Sequence, residues 1–342
     1  YRNDVTREID IAEEVLRIYG YNNIKIPEKI NSSPSIPNFN SNHSIQQKIS
    51  NHLASLGCFE IMNNSLVKRQ YSNFLDEKSN NHISLLNPLS NDTATLRKSL
   101  IYGALEVLKF NHFNGNPNGA IFEWGKVYSI DENVHKEENR LLIATTGLQN
   151  EEHWFNGKLE SSFFQLKGII DSVFKSLGVY YETELLTKDH LWEKGLMVKK
   201  GKYTLAKIGT VRKEISSLIG LKKPCFVSEI YFDSLIKANA NSKSKFKPIN
   251  KFQKVFRDLS ILISEEVTMQ EITNSINQVN SKLLKNTTLF DIYIDKKNVG
   301  KKAYGLRFEF LHSERTLKDK EVDSVMNSIQ SKLVSNFNAS LR

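Results

Sequence analysis

Four carboxylates, Asp4, Asp10, Glu13 and Glu14, fall close together near the start of this 342-residue chain. Hard oxygen donors of this kind suit Mg²⁺. On a helix Glu13 and Glu14 stand about 100° apart, so both can flank one ion at its N-terminal edge. The same residues have a structural reading, because acids near a helix start are favoured by the macrodipole and by capping. A second group is basic. Lys243, Lys245, Lys247, Lys251, Lys254 and Arg257 lead into and along one segment, and Lys296, Lys297, Lys301 and Lys302 crowd another. Such a group suits a polyanion, and it equally describes a solvated face. Phe246, Phe252 and Phe256 interleave with the first group and suit stacking on unpaired bases. The alternative is a core position, which is the expectation for Phe256.

Other chemistry has no footing in the sequence. The eight histidines include no pair with zinc-ligand spacing, and neither GxSxG nor a Cys–His signature appears. Phosphate loops of the GxGxxG and GxxxxGK[ST] kinds are missing too. The two cysteines, Cys58 and Cys225, are far apart and outside any CxxC pair, which predicts buried thiols in a reducing, cytoplasmic setting. No apolar run approaches a membrane span and no signal sequence opens the chain. The missing initiator Met before an immediate helix predicts a fragment or a trimmed chain.

Charge is unevenly distributed. Residues 243–342 carry 18 Lys and Arg against 11 Asp and Glu, a surplus of seven, out of +9 for the whole chain. One end of a nearly neutral protein is therefore strongly basic.

The elements that must position these residues follow from periodicity. Ile11, Val15 and Ile18 predict a helix from Asp10 to Gly20, with Asp10 as N-cap and Glu13 completing a capping box. Residues 27–44, rich in Asn, Ser and Pro, predict a linker. A second helix is expected over Ser44 to Gly57, a strand over Phe59 to Val67, a polar loop over 68–81, a short strand at 83–86 and a long helix over Leu96 to Phe113. Buried strands are expected at 120–128 and 140–147 and a helix at 163–177. Shorter β pieces follow at 179–186, 195–199 and 203–209, then a helical turn at 215–219 and a strand at 225–232. Residues 45–236 thus read as a mixed sheet with helices on it, and 237–245 as a second linker.

Residues 246–342 have the clearest rhythm. Arg257 to Ile263 is a strand, Thr268 and Glu271 form a capping box, and Leu283 to Ile294 is a strand. A charged hairpin follows over 295–302, then Tyr304, Leu306, Phe308 and Phe310 alternate along one face of a strand. Thr316 and Asp319 are expected to cap a last helix, and residues 339–342 to close the sheet. The product is βαββαβ, a ferredoxin-like split βαβ sandwich.

At this point the motifs become specific. The run from Asp4 through Asp10, Glu13 and Glu14 to Asn23 resembles the close of the B5 domain of bacterial phenylalanyl-tRNA synthetase β subunits. Asn87-Pro-Leu-Ser90, Leu96-Arg97 and Phe122-Glu-Trp-Gly-Lys-Val127 resemble that subunit's synthetase-like domain. Arg257-Asp-Leu259, Phe290-Asp-Ile-Tyr293 and Arg315 to Val322 resemble its ferredoxin-fold anticodon-binding domain. The three matches run in the family's order. The resemblance implies an α+β chain: a B5 remnant over 1–26, a linker over 27–44, a non-catalytic class II synthetase-like antiparallel sheet with helices over 45–236, a linker over 237–245 and a ferredoxin-like βαββαβ domain over 246–342.

The resemblance implies a function as well. The family's enzyme is an α2β2 heterotetramer, a ligase of protein biosynthesis that joins phenylalanine to tRNA(Phe) with ATP bound in the α subunit. This portion would be a scaffold for the α subunit and a tRNA-binding arm, inactive alone, with no catalytic residue and with neither membrane nor DNA as partner. Asp4, Asp10, Glu13 and Glu14 match the family's Mg²⁺ carboxylates, which act together with the α subunit. Lys251, Lys254, Arg257, Lys301, Lys302 and Arg315 are the expected tRNA contacts. The alternative is a protein–protein scaffold with no direct RNA contact.

Overall fold

A computed structural model describes residues 2–29, 32–33, 41–71, 82–131, 134–150, 152–155, 157–187, 189–239, 246, 248–294 and 300–341. The chain divides into two units, Tyr1–Gln46 and Gln47–Arg342. In the first, α1 spans Glu8–Tyr19. Asp10 is not its N-cap. It sits at the third helical position, where its carboxylate accepts the backbone N–H groups of Thr6 (3.1 Å) and Arg7 (2.9 Å). A carboxylate there collects donors that the first turn leaves orphaned, so the helix starts two residues early. Gly20 ends it at φ +91°, a conformation that costs glycine least. The apolar stripe exists, yet Ile11, Val15 and Ile18 are 60%, 60% and 92% exposed.

Helix α2, Asn42–Ser55, also begins earlier than its periodicity predicts. The Ser41 hydroxyl accepts the Ser44 N–H (3.2 Å) and the Ser41 carbonyl accepts that of Ile45, so Ser41 does the capping. Half of the first expected linker (30, 31 and 34–40), and residues 240–245 of the second, lie outside the described residues, as do 72–81 of the expected polar loop.

The second unit opens with β1 (Phe59–Glu60), β2 (Leu66–Val67) and β3 (Thr95–Leu96). The single expected strand over Phe59 to Val67 is broken. Asn63 turns aside to bind Glu123, and the Asn64 side chain accepts the Leu66 N–H (3.0 Å), a local bond that competes with a ladder. The expected long helix is shortened to α3, Ile101–Phe113. Leu96 pairs with Leu66 in β3, and the Arg97 N–H reaches the Ser65 carbonyl, commitments a helix cannot meet.

The rest of this part comprises β4 (Gly119–Asp131), β5 (Val134–Thr146), α4 (Phe163–Ser176), β6 (Glu182–Leu185), β7 (Trp192–Lys200), β8 (Tyr203–Val211), α5 (Lys213–Ile219), β9 (Cys225–Tyr231) and α6 (Phe232–Asn239). Helix α6 is not anticipated by the sequence reading. Phe232 and Leu235 bury it, and Asp233 accepts the Asn139 N–H (3.2 Å) where β9 ends. Among the described residues the sheet has seven strands, ordered β1-β4-β5-β9-β8-β7-β6. β1 runs parallel to β4, and every other pairing is antiparallel. On one face Leu100, Ile101, Leu105 and Leu108 pack with Ile121, Leu142, Ala144 and Val227. On the other, Trp124 meets Phe232 edge-on with centroids 5.0 Å apart and donates its indole N–H to Ser50 of α2.

The terminal module contains β10 (Val255–Ser264), α7 (Met269–Asn277), β11 (Leu284–Tyr293), β12 (Lys301–Phe310), α8 (Asp319–Phe337) and β13 (Ser340–Leu341). Its antiparallel sheet is ordered β11-β12-β10-β13, the predicted βαββαβ arrangement. Tyr304, Leu306, Phe308 and Phe310 line the buried face, against Ile272 and Ile276 of α7 and Val322, Ile329 and Leu333 of α8. Thr268 and Glu271 cap α7 as expected. The start of α8 is shifted: Glu321, not Asp319, accepts the Lys318 N–H (3.0 Å), because Arg315 holds that carboxylate from the other side. Asn338 ends α8 in the left-handed region, φ +48°. Among the described residues no helix is long and apolar enough to cross a membrane.

Candidate nucleic-acid interface

Both helices of the terminal module cover one face of its sheet, and among the described residues the other face is open. Register identifies its side chains. Along β12 the helix side takes Lys302, Tyr304, Leu306, Phe308 and Phe310, leaving Lys301, Ala303, Gly305, Arg307 and Glu309 on the open side. Their partners on β10 are Ser264, Leu262, Ser260, Asp258 and Phe256. Phe256 is therefore not a core residue: it is 50% exposed, because the helices take the odd-numbered positions of β10.

β11 carries a β-bulge between Leu289 and Asp291. The extra residue, Phe290, turns its ring across the sheet, as bulges commonly re-aim a side chain. A Cβ on Gly305 would sit 2.9 Å from that ring, so the glycine is the ring's floor. The Arg307 guanidinium lies 5.4 Å from the ring centroid and is held by a two-pronged bond to Asp258 at 2.8 and 2.7 Å. This bond lowers the Asp258 carboxyl below its ordinary range. Tyr293, half exposed beside Ala303, completes the surface. A shallow cavity of about 310 Å³ runs between Ser260, Phe290, Asp291, Tyr293, Ala303 and Gly305. Flat rings with a fixed guanidinium beside them on an open four-stranded sheet are the chemistry of base stacking.

The six expected cations do not gather on this face. Lys254 lies on its side of the sheet, 2.8 Å from Glu309. Lys301 has open-face register, and Lys251 precedes the strand. Both are exposed and neither has a polar partner among the described residues. Arg257 is on the helix side, bound to Asp319 (2.7 Å) and near Asp323 (3.7 Å). Lys302 donates to the Glu265 carbonyl (2.6 Å) and lies over the Tyr304 ring. Arg315 forms a two-pronged bond with Glu321 at 2.8 and 2.6 Å, before α8. Lys243, Lys245, Lys247, Lys296 and Lys297 lie outside the described residues. Phe290, Tyr293 and Arg307 are not among the contacts expected from the sequence, although Phe290 and Tyr293 lie in one of its motifs. The β12 alternation placed Arg307 on the open face, whereas nothing in the sequence announced the bulge that turns Phe290.

The four N-terminal carboxylates do not converge on one point. Arg2 joins two of them, bonding Asp4 at 2.8 Å and Glu14 at 3.5 Å, and so lowers the Asp4 carboxyl. Asp10 is held by the Arg7 guanidinium (2.8 Å) and two backbone N–H groups, which lower its carboxyl. Glu13 is exposed. Among the described residues no three His, Cys, Asp or Glu side chains converge on a point where a metal ion could be held. As placed, the four acids do not make a complete divalent-ion site, since Arg2 already supplies the cation between Asp4 and Glu14.

Comparison with known proteins agrees with this architecture. Residues 26–232 match the family model for the phenylalanyl tRNA synthetase beta chain CLM domain, and residues 250–342 match that for the ferredoxin-fold anticodon binding domain. The phenylalanine–tRNA ligase beta subunit of Bacteroides thetaiotaomicron is 33% identical, over 100% of this chain and 44% of its own length. That of Porphyromonas gingivalis is 32% identical, with the same coverages. This chain thus spans less than half the length of the curated relatives it matches. Among solved structures, a pyrrolysyl-tRNA synthetase from Desulfitobacterium hafniense aligns at TM-score 0.46 and 15% identity, covering 59% of this chain and 70% of that one. That likeness adds nothing to the strand order described above. With a family model covering more than half of it, the chain belongs to the phenylalanyl tRNA synthetase beta chain family.

Proposed function

We propose that this chain is the tRNA-holding and scaffolding portion of a phenylalanine–tRNA ligase β subunit. It acts in an α2β2 enzyme in the cytoplasm that attaches phenylalanine to tRNA(Phe). In this reading ATP and the chemical step belong to the α subunit. The observation that carries the reading is the open face of the terminal sheet. Phe256, Phe290 and Tyr293 are each about half exposed there, Arg307 is fixed against Phe290, and the module has a surplus of positive charge. Lys251, Lys254 and Lys301 supply phosphate contacts at its edge. Arg257, Lys302 and Arg315 contribute to the module's field while their bonds go to protein groups. The α subunit would cover apolar surface of the synthetase-like part, where Trp154, Phe155 and Phe164 are 88%, 77% and 80% exposed.

Mg²⁺ enters the proposal as an ion shared with the α subunit. Asp4, Asp10, Glu13 and Glu14 offer hard oxygen donors, and the partner would have to supply further ligands and draw Asp4 and Glu14 away from Arg2. Saturable Mg²⁺ binding in calorimetry should therefore appear for the α–β complex and not for this chain alone.

The experiment for the function is the affinity of the chain for tRNA(Phe) across a salt series. Phosphate contacts release counterions, so log affinity should fall linearly with log salt, by about 0.7–0.9 per phosphate neutralised. Charge reversal of Lys251 and Lys254 should flatten that slope without changing the fold. A slope near zero would favour a scaffold that does not touch RNA.

A further inference from the structure

A polar cavity of about 290 Å³ opens on the face of the large sheet that α3 partly covers, and the RNA reading makes no use of it. Arg140, Tyr231, Glu229, Lys207, Asp189 and Trp192 line it. β5, β9 and β8 bring the first four together, since Arg140 pairs with Tyr231 and Lys207 with Glu229. The Arg140 guanidinium lies 3.8 Å over the Tyr231 ring.

A donor and acceptor census gives the cavity its chemistry. Its acceptors are engaged. Asp189 accepts from the Leu191 N–H (3.0 Å) and from Lys207 (2.9 Å). Glu229 accepts from the Ser99 hydroxyl (3.1 Å) and the Leu100 N–H (3.0 Å), and its second oxygen lies 3.5 Å from Arg140. Donors are left over. Trp192 is 4% exposed, and among the described residues its indole N–H has no partner. The Arg140 Nε is buried and, among the described residues, unpartnered too, while its other nitrogens bond Glu138 (2.5 Å) and approach Glu229. Buried N–H groups rarely go without an acceptor, and leaving one unmade is costly. Lys207 adds ammonium protons that Asp189 does not use. Lys98 and His190 stand at the rim.

We propose that this cavity is a binding site for a small molecule bearing a carboxylate or phosphate group. Its oxygens accept from Lys207 Nζ as the cavity stands, and from Trp192 Nε1 and Arg140 Nε once the side chains around these two buried atoms part to admit it. The volume matches roughly ten waters, which restricts the ligand to a compact metabolite or a single anionic group with a short substituent. The two negative side chains do not repel it outright, because Arg140 and Lys207 already neutralise them in place.

The chain's three tryptophans make the test direct. Record the indole N–H resonances of the ¹⁵N-labelled full chain during titration with inorganic phosphate, pyrophosphate and malonate. The Trp192 peak, assigned with Trp192→Phe, should move saturably with at least one probe. The peaks of Trp124, whose N–H is bound to Ser50, and of solvent-exposed Trp154 should stay. Arg140→Lys keeps the charge and removes the Nε donor, so it should weaken binding about tenfold, the effect of one hydrogen bond to a charged group. Unmoved Trp124 and Trp154 peaks in that variant show that its fold is intact. No saturable shift of Trp192 with any probe would overturn the proposal. So would equal movement of all three indoles, or binding in Arg140→Lys as tight as in the unmodified chain.

Discussion

Removing Arg97 while leaving Glu123 should weaken the large sheet by several kcal/mol. The two side chains are only 7% and 1% exposed, with the guanidinium 2.7 Å from the carboxylate. Glu123 also accepts from the Asn63 backbone (3.1 Å) and side chain (2.8 Å), while Arg97 donates to the Lys126 carbonyl (2.9 Å). Breaking a buried pair from one side costs about 3–5 kcal/mol, because a charge is left without its partner. The two Asn63 donors survive in Arg97→Met and partly solvate the carboxylate, which points to the lower end, about 3 kcal/mol. Urea unfolding followed by Trp124 fluorescence reads the same sheet. The double variant Arg97→Met/Glu123→Leu removes both charges and should recover most of the loss. A loss below about 1 kcal/mol in the single variant, the range of an exposed pair, would refute the reasoning. So would a double variant less stable than the single one.

Other outcomes follow from particular contacts. Gly305→Val places carbon against the Phe290 ring, where even a Cβ would be 2.9 Å away; RNA affinity should fall about tenfold, one lost stacking contact, with unfolding little changed, as read by anisotropy and urea titration. Arg315, joined by the Lys318 N–H, holds the Glu321 carboxyl at about 2. A carboxyl so depressed contributes stability above its ordinary value near 4.5, and that contribution is lost as pH falls toward 2. Carboxyl ¹³C titration should show the low midpoint, and Glu321→Gln should remove this part of the acid sensitivity. Burial pushes the Cys58 thiol up to about 11 and Cys225 up to about 12, so neither should react with a disulfide reagent at pH 8 until the chain is unfolded.

The terminal module was the most legible part of the sequence. Strict alternation from Tyr304 to Phe310 and the Thr268–Glu271 box are local signals, and both survive in the fold. The carboxylates near the start shared the correct helix, but capping depends on which donors the turn leaves free, and that moved Asp10 from N-cap to the third position. The helix expected from Leu96 failed because Leu96 and Arg97 are committed to residues about thirty positions away. Periodicity cannot register such partners. The open-face site was half visible. Phe256 and Arg307 follow from counting by two, once the buried face is known. Phe290 depends on a bulge, and the bulge on the partner strand. Charge selected Arg257 and Lys302, and the resemblance added Arg315; the bonds of all three within the protein are revealed only by three-dimensional packing.

RNA binding by this chain rests on the open face of the terminal sheet in the proposed function. Its most direct test is the affinity of the full chain for a tRNA(Phe) anticodon stem–loop at fixed salt, comparing the unmodified chain with Phe290→Ala/Tyr293→Ala and with Asn327→Ala on the outer side of α8. Stacking contributes about 1–3 kcal/mol per base, so the double variant should bind on the order of a hundredfold more weakly while Asn327→Ala binds unchanged. Equal affinity of all three proteins would contradict the assignment of this face to RNA.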